Sequence, residues 1–151
     1  MHERPTGATA DRKQHLAERA VQLLYDSDRA SQMLGMSVES VAPGESRVSM
    51  RVRADMVNGH GICHGGLIFA LADSAFAFAC NSRGYNTVAA GAAIEFLAPG
   101  REGDVLTASA SERWRAGKSG IYEIEVRNQR DEAIALFRGR CHQIAGRLVD
   151  E

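Results

Sequence analysis

Asp73 is the residue that most demands a chemical role. It interrupts the run LIFALADSAFAFAC at 67–80, set among Leu71, Ala72, Phe76 and Phe78. A carboxylate in apolar surroundings is costly unless it is paired or protonated. The next cation along the chain is Arg83, ten residues on. Burial without a cation raises a carboxyl pKa, and such groups serve as general bases or nucleophiles. An Asp that bonds to backbone or to a serine is the structural alternative. Upstream stands His64-Gly65-Gly66. A helix starting there presents unpaired N–H groups and a partial positive charge, and glycine lets a carbonyl come close. Such a site stabilises an oxyanion.

The spacing of the two features has a consequence. His64 and Asp73 are nine residues apart, which on one helix is about 13.5 Å along the axis and opposite in face. They cannot act on one bond from the same helix. Two antiparallel helices from two subunits can bring one chain's His64 end opposite the other's Asp73, so joint catalysis predicts a homodimer with shared sites.

Competing constellations are weaker. His60, Cys63 and His64 have metal-ligand spacing, but a glycine-rich loop without a carboxylate partner is a poor ligand set. No metal and no cofactor is expected. Cys63 beside His64 is a poor nucleophile pair because adjacent side chains diverge. Gly117-Lys118-Ser119 lacks the upstream glycine of a phosphate loop, since position 112 is Glu. Neither GxSxG nor GxGxxG is present, which removes the serine-hydrolase elbow and the dinucleotide fingerprint.

These residues need a scaffold. Residues 1–10 read as a loose tail, and Leu16, Ala20, Leu23 and Leu24 give helical spacing over 11–28, with Asp11 and Gln14 as a weak capping box. A strip over 35–41 turns at Pro43-Gly44, and Val48, Met50 and Val52 alternate with polar residues as in a half-buried strand. The segment 58–66 is a loop by composition. The run 67–80 is apolar on every face apart from Asp73 and Ser74, which predicts a buried helix. Strands follow at 87–97, 106–111, 122–127 and 133–141. Successive strands with short turns form an antiparallel sheet, and the apolar helix is what that sheet wraps. The fold class is α+β, with one domain over 16–151 behind a flexible tail at 1–15.

Composition narrows the partners. The chain has 151 residues, 44% hydrophobic and 25% charged, with a net charge of −1. That balance argues against a nucleic-acid or membrane coat, which needs a positive surplus. The longest apolar stretch is too short to span a bilayer. Charges such as Arg4, Asp11, Arg12 and Lys13 break any signal-peptide core. Cys63, Cys80 and Cys141 suggest free thiols and a reducing cytoplasm. A short chain with 15 glycines will find it hard to enclose a deep pocket alone.

The run Asn58-Gly59-His60, His64-Gly65-Gly66, Phe69, Leu71-Ala72-Asp73, Ala75-Phe76-Ala77 and Ala79-Cys80-Asn81 resembles the hotdog-fold acyl-CoA thioesterases, in particular the phenylacetic-acid-degradation (PaaI-type) branch. The likeness continues through Phe96-Leu97-Ala98-Pro99-Gly100, Gly103-Asp104 and Ala135-Leu136-Phe137-Arg138-Gly139, and covers roughly 20–146. It implies a hotdog fold, an antiparallel sheet around a central helix, forming homodimers with shared sites that pair into homotetramers. It implies hydrolysis of acyl-CoA, ring-hydroxylated phenylacetyl-CoA first. Asp73 would be base or nucleophile, Gly65 N–H the oxyanion donor, His64 its orienting residue, and Asn58 a positioner of water or substrate. The CoA nucleotide would lie across Phe96, Pro99, Gly100 and Arg101 and the hairpin of Arg115, Gly117, Lys118 and Ser119. Of the 18 cations, all but Lys13 and Lys118 are Arg, which grips phosphate through a planar fork. One departure stands out. Residues 89–93 supply no hydroxyl where some relatives carry Ser or Thr, which widens the acyl pocket or leaves the task to Ser74. A non-catalytic acyl-CoA-binding sensor on the same fold is the alternative.

Overall fold

The structure, a computed structural model, describes residues 6–150. Helix α1 (Gly7–Ser27) and a short α2 (Arg29–Met33) lead into strands β1 (Ser37–Ala42) and β2 (Glu45–Arg51). The central helix α3 (Gly65–Asn81) follows, and then β3 (Tyr85–Phe96), β4 (Val105–Ala116), β5 (Ser119–Arg127) and β6 (Ala133–Arg147). One six-stranded antiparallel sheet runs in the order β1-β2-β4-β5-β6-β3. This is the α+β hotdog arrangement, with α3 along the concave face.

Strand alternation places the core. Val48 and Met50 of β2, Leu106, Ala108 and Ala110 of β4, Tyr122, Ile124 and Val126 of β5, and Ala135 and Phe137 of β6 all point at α3 and are buried. Phe76 of α3 packs on Tyr122 and Phe137, with ring centroids 5.6 and 6.0 Å away. Gly139 makes this possible, since a Cβ there would lie 2.7 Å from the Phe76 ring.

Three expectations change. The first helix starts at Gly7, so 7–15 are its opening turns rather than a tail, while the expected tail at 1–5 lies outside the described residues. Asp11 is not its cap. Gln14 instead donates to the Val41 carbonyl at 2.7 Å, tying α1 to β1, a contact that no local pattern encodes. The central helix is not enclosed on every side. Gly66, Phe69, Ala70, Asp73 and Ala77 form a stripe at helical spacing that the sheet leaves open or half-covered. The cause is β3, an edge strand whose residues 88–93 are exposed or nearly so and which has a partner on one side only.

Candidate active site

The loop before α3 is held from several directions. Asn58 Oδ1 accepts from the N–H groups of His60 (3.0 Å) and Ile62 (3.3 Å). The Cys63 N–H donates to the Gly100 carbonyl at 2.7 Å, and the His64 N–H to the Met56 carbonyl at 2.8 Å. Asn58 therefore uses its carboxamide oxygen to shape the loop, leaving its NH2 without an acceptor among the described residues. His64 is the N-cap of α3, its Nδ1 accepting from the Gly66 N–H at 3.1 Å. In a neutral ring this places the proton on Nε2. The Gly65 N–H has no acceptor among the described residues, as the first turn of a helix dictates. A Cβ at Gly65 would lie 3.0 Å from the Phe96 ring, so glycine is what lets Phe96 pack this close to the start of the helix.

Asp73 sits in the third turn of the same helix. It is half-buried, and no protein group among the described residues donates to its carboxylate. Burial, and secondarily the Asp28 carboxylate, raise its pKa above the ordinary 3.8. It opens on a groove of about 380 Å³ between the end of α1, α3 and the start of β3, with Leu24, Phe76, Ala77 and Val88 among its walls. Ser74 is committed elsewhere, its Oγ 2.8 Å from that of Ser31.

The binding candidates separate into two groups. Phe96 and Arg101 are exposed at the Gly65 end of the sheet, with Pro99 between them. Gly100 is buried, and a Cβ there would lie 3.2 Å from that of Cys63, so it anchors the loop. Arg115, Gly117, Lys118 and Ser119 lie at the far end of β4, about 36 Å away along the strand at roughly 3.3 Å per residue. They line a narrow cleft with Thr87, which also lines the Asp73 groove. The candidates therefore fall into two separate clusters on one chain, each with its own cations. Gly65, Phe96 and Arg101 make one; Asp73 with the Arg115–Lys118 turn makes the other.

Two functional neighbours escaped the sequence. Asp28 caps α2 and lines the Asp73 groove. The pattern Asp28-Arg29-Ala30-Ser31 was its signal, an N-cap followed three residues later by a residue it can cap. Asp104 was part of the resemblance only, but it holds the Arg101 loop by accepting from the Arg101 N–H at 2.9 Å and from Gln129 Nε2 at 2.8 Å. The three cysteines are free and buried. No helix among the described residues is long and apolar enough to cross a membrane.

Comparison with known proteins agrees with this geometry. Residues 60–135 match the thioesterase superfamily. The chain is 44% identical over 137 residues to the acyl-coenzyme A thioesterase PaaI of Escherichia coli, covering 91% of this chain and 98% of that one. The solved structure of the E. coli PaaI protein from the phenylacetic acid degradation operon superposes with a TM-score of 0.88 at 45% identity, over 89% of this chain and 97% of the other. A mutant of the phenylacetic acid degradation protein PaaI of Thermus thermophilus gives 0.75 at 38% identity, over 78% of this chain and 100% of that one.

Proposed function

The chain belongs to the thioesterase superfamily, in its PaaI-type branch, and from that premise we propose that it hydrolyses arylacetyl-CoA thioesters at sites shared between two subunits. Acyl-CoA thioester hydrolysis is the activity; the arylacetyl preference and the residue roles are our reading. The observation that carries the roles is Asp73, a half-buried carboxylate without a donor, opening on an apolar groove.

Asp73 takes the proton of a water that attacks the thioester carbon, or attacks that carbon itself. The carbonyl oxygen becomes an oxyanion and accepts from the Gly65 N–H of the partner subunit. Collapse breaks the C–S bond, the CoA thiolate leaves and takes up a proton, and the free acid remains. In the nucleophilic route water then attacks Asp73 Cγ of the mixed anhydride, and the acid leaves with the former Asp73 oxygen. Single turnover in ¹⁸O-water separates the two, since only that route places protein oxygen in the first acid released.

The open stripe of α3 and the unpaired edge of β3 support the dimer. A twelve-residue edge strand, unpaired on its outer side and carrying exposed Val88 and Phe96, is a template for a second copy. Exposed Leu136 and Ile144 on the outer face of β6 support further pairing into a homotetramer. Arg101, Arg115 and Lys118 are our phosphate ligands for CoA. Removing the Arg115 and Lys118 charges together should raise KM several-fold with kcat nearly kept. A cytoplasmic setting suits three unpaired cysteines.

The test is thiol release from a panel of acyl-CoAs. Release fastest from hydroxyphenylacetyl- or phenylacetyl-CoA supports the reading. Tight binding with no thiol released from any member would favour the sensor instead.

A further inference from the structure

Asp73 does not face its groove alone. Asp28, at the junction of α1 and α2, lines the same cavity. Its carboxylate is fixed by the Ser31 N–H (2.9 Å to Oδ1) and the Ser31 hydroxyl (2.6 Å to Oδ2). Ser31 is buried, and its Oγ also lies 2.8 Å from Ser74 Oγ, on the residue next to Asp73. An unbroken chain of hydrogen bonds thus runs from Asp28 to the helix that carries the reacting carboxylate. A simple helix cap would need only the first of these bonds.

We propose that Asp28 is a positioning residue of the active site, a second carboxylate locked by Ser31 that sets the field Asp73 feels and, through Ser74, the register of its helix. The inference rests on Asp73 being the reacting group. No cation among the described residues lines the groove to cancel this field. The β3 wall contributes Thr87, Val88 and Ala89, none ionisable at neutral pH, and α3 contributes Asn81 and the nearby Cys80 thiol, which itself feels Asp73. Two carboxylates without a cation between them hold on to a proton more tightly than one, in keeping with the upward shift at Asp73. Burial supplies the larger push and Asp28 adds to it, on a carboxylate that stays half open to water and substrate.

Asp28→Asn removes the charge and keeps the cap, because Asn is as good an N-cap as Asp and still accepts from the Ser31 N–H, while its NH2 in place of Oδ2 can donate to Ser31 Oγ. The readout is the acid limb of kcat/KM against pH for the best thioester of the panel. In Asp28→Asn the limb should move to lower pH by about half a unit or more. Ser74→Ala keeps the charge and cuts the tether, so kcat should fall several-fold with the limb unmoved. Limbs of wild type and Asp28→Asn that superimpose would overturn the field role, and an unchanged kcat in Ser74→Ala would overturn the tether. Titration of ¹³C-labelled Asp73 carboxyl in wild type and Asp28→Asn reads the same shift without turnover. An NMR shift in a protein that hydrolyses nothing would sink the thioesterase reading while leaving the Asp28 coupling intact.

Discussion

Two carboxylates of this chain, Asp73 and Asp104, are both withdrawn from water, yet their surroundings push them in opposite directions. Asp104 is 4% exposed and sits where β3 turns into β4. It accepts from the Arg101 N–H and from Gln129, with Arg130 Nη1 at 3.5 Å. Gln129 above all, helped by the Arg101 N–H and the Arg130 charge, holds its pKa below the ordinary 3.8. Asp73 meets burial, no donor and a second carboxylate, and its pKa rises. Burial alone therefore does not decide what a carboxylate does. The donors around it do: a satisfied Asp becomes a rivet, and an unsatisfied one keeps its lone pairs for chemistry.

The largest effect should come from removing the unsatisfied member. Asp73→Asn should lower kcat by about 10²-fold or more on the best acyl-CoA, the scale of a lost general base or nucleophile. The same variant should gain stability. Ionising Asp73 costs the folded state as pH rises from the unfolded value of 3.8 through the raised folded value. Calorimetry at pH 7 should show a Tm above that of wild type, with the difference vanishing below pH 3.8. An equal or lower Tm at pH 7 would break the contrast.

Gly65→Ala comes next. The added Cβ would stand 3.0 Å from the Phe96 ring, so the aromatic must shift at the mouth of the helix N-terminus. We expect kcat to fall about tenfold, below the 10²–10³ of a lost oxyanion donor because the N–H itself survives. Steady-state kinetics with melting unchanged would confirm that the loss lies in the site.

Asp104→Ala should show the opposite profile, with stability lost and chemistry kept. Leaving the Arg101 N–H and Gln129 without their acceptor should cost about 1–3 kcal/mol at pH 7. Because the folded pKa of Asp104 is depressed, its contribution is present above 3.8 and fades as pH falls through the folded value. Denaturation curves of wild type and variant should therefore converge in acid. The smallest effect is on turnover, where kcat of this variant should stay within about twofold, with any change appearing in KM through the Arg101 loop.

Much of this was legible in the chain. Asp73 stood out because one charged letter in an apolar run breaks the pattern, and His64-Gly65-Gly66 because glycine beside a helix start has a physical use. The strand order along the chain followed from alternation, as Tyr122, Ile124 and Val126 show. Asp28 did not stand out, and Gln14 was legible only as half of a capping box that it does not form. Their partners lie in other elements, Ser31 and then Ser74 for one and the Val41 carbonyl for the other.

The sequence by itself determined the main element types, much of the buried core and the two candidate positions, because these depend on local periodicity and on the cost of burying charge. It also forced the separation of His64 from Asp73, since helix geometry fixes the distance between residues nine apart. Only the tertiary structure decided that β3 ends up at the sheet edge beside β6, leaving one stripe of α3 open. It alone placed Arg101 and Lys118 at opposite ends of the sheet and a second carboxylate in the groove of the first. Those are outcomes of long-range pairing, in which each strand's neighbour is chosen by the burial of the whole sheet against one helix.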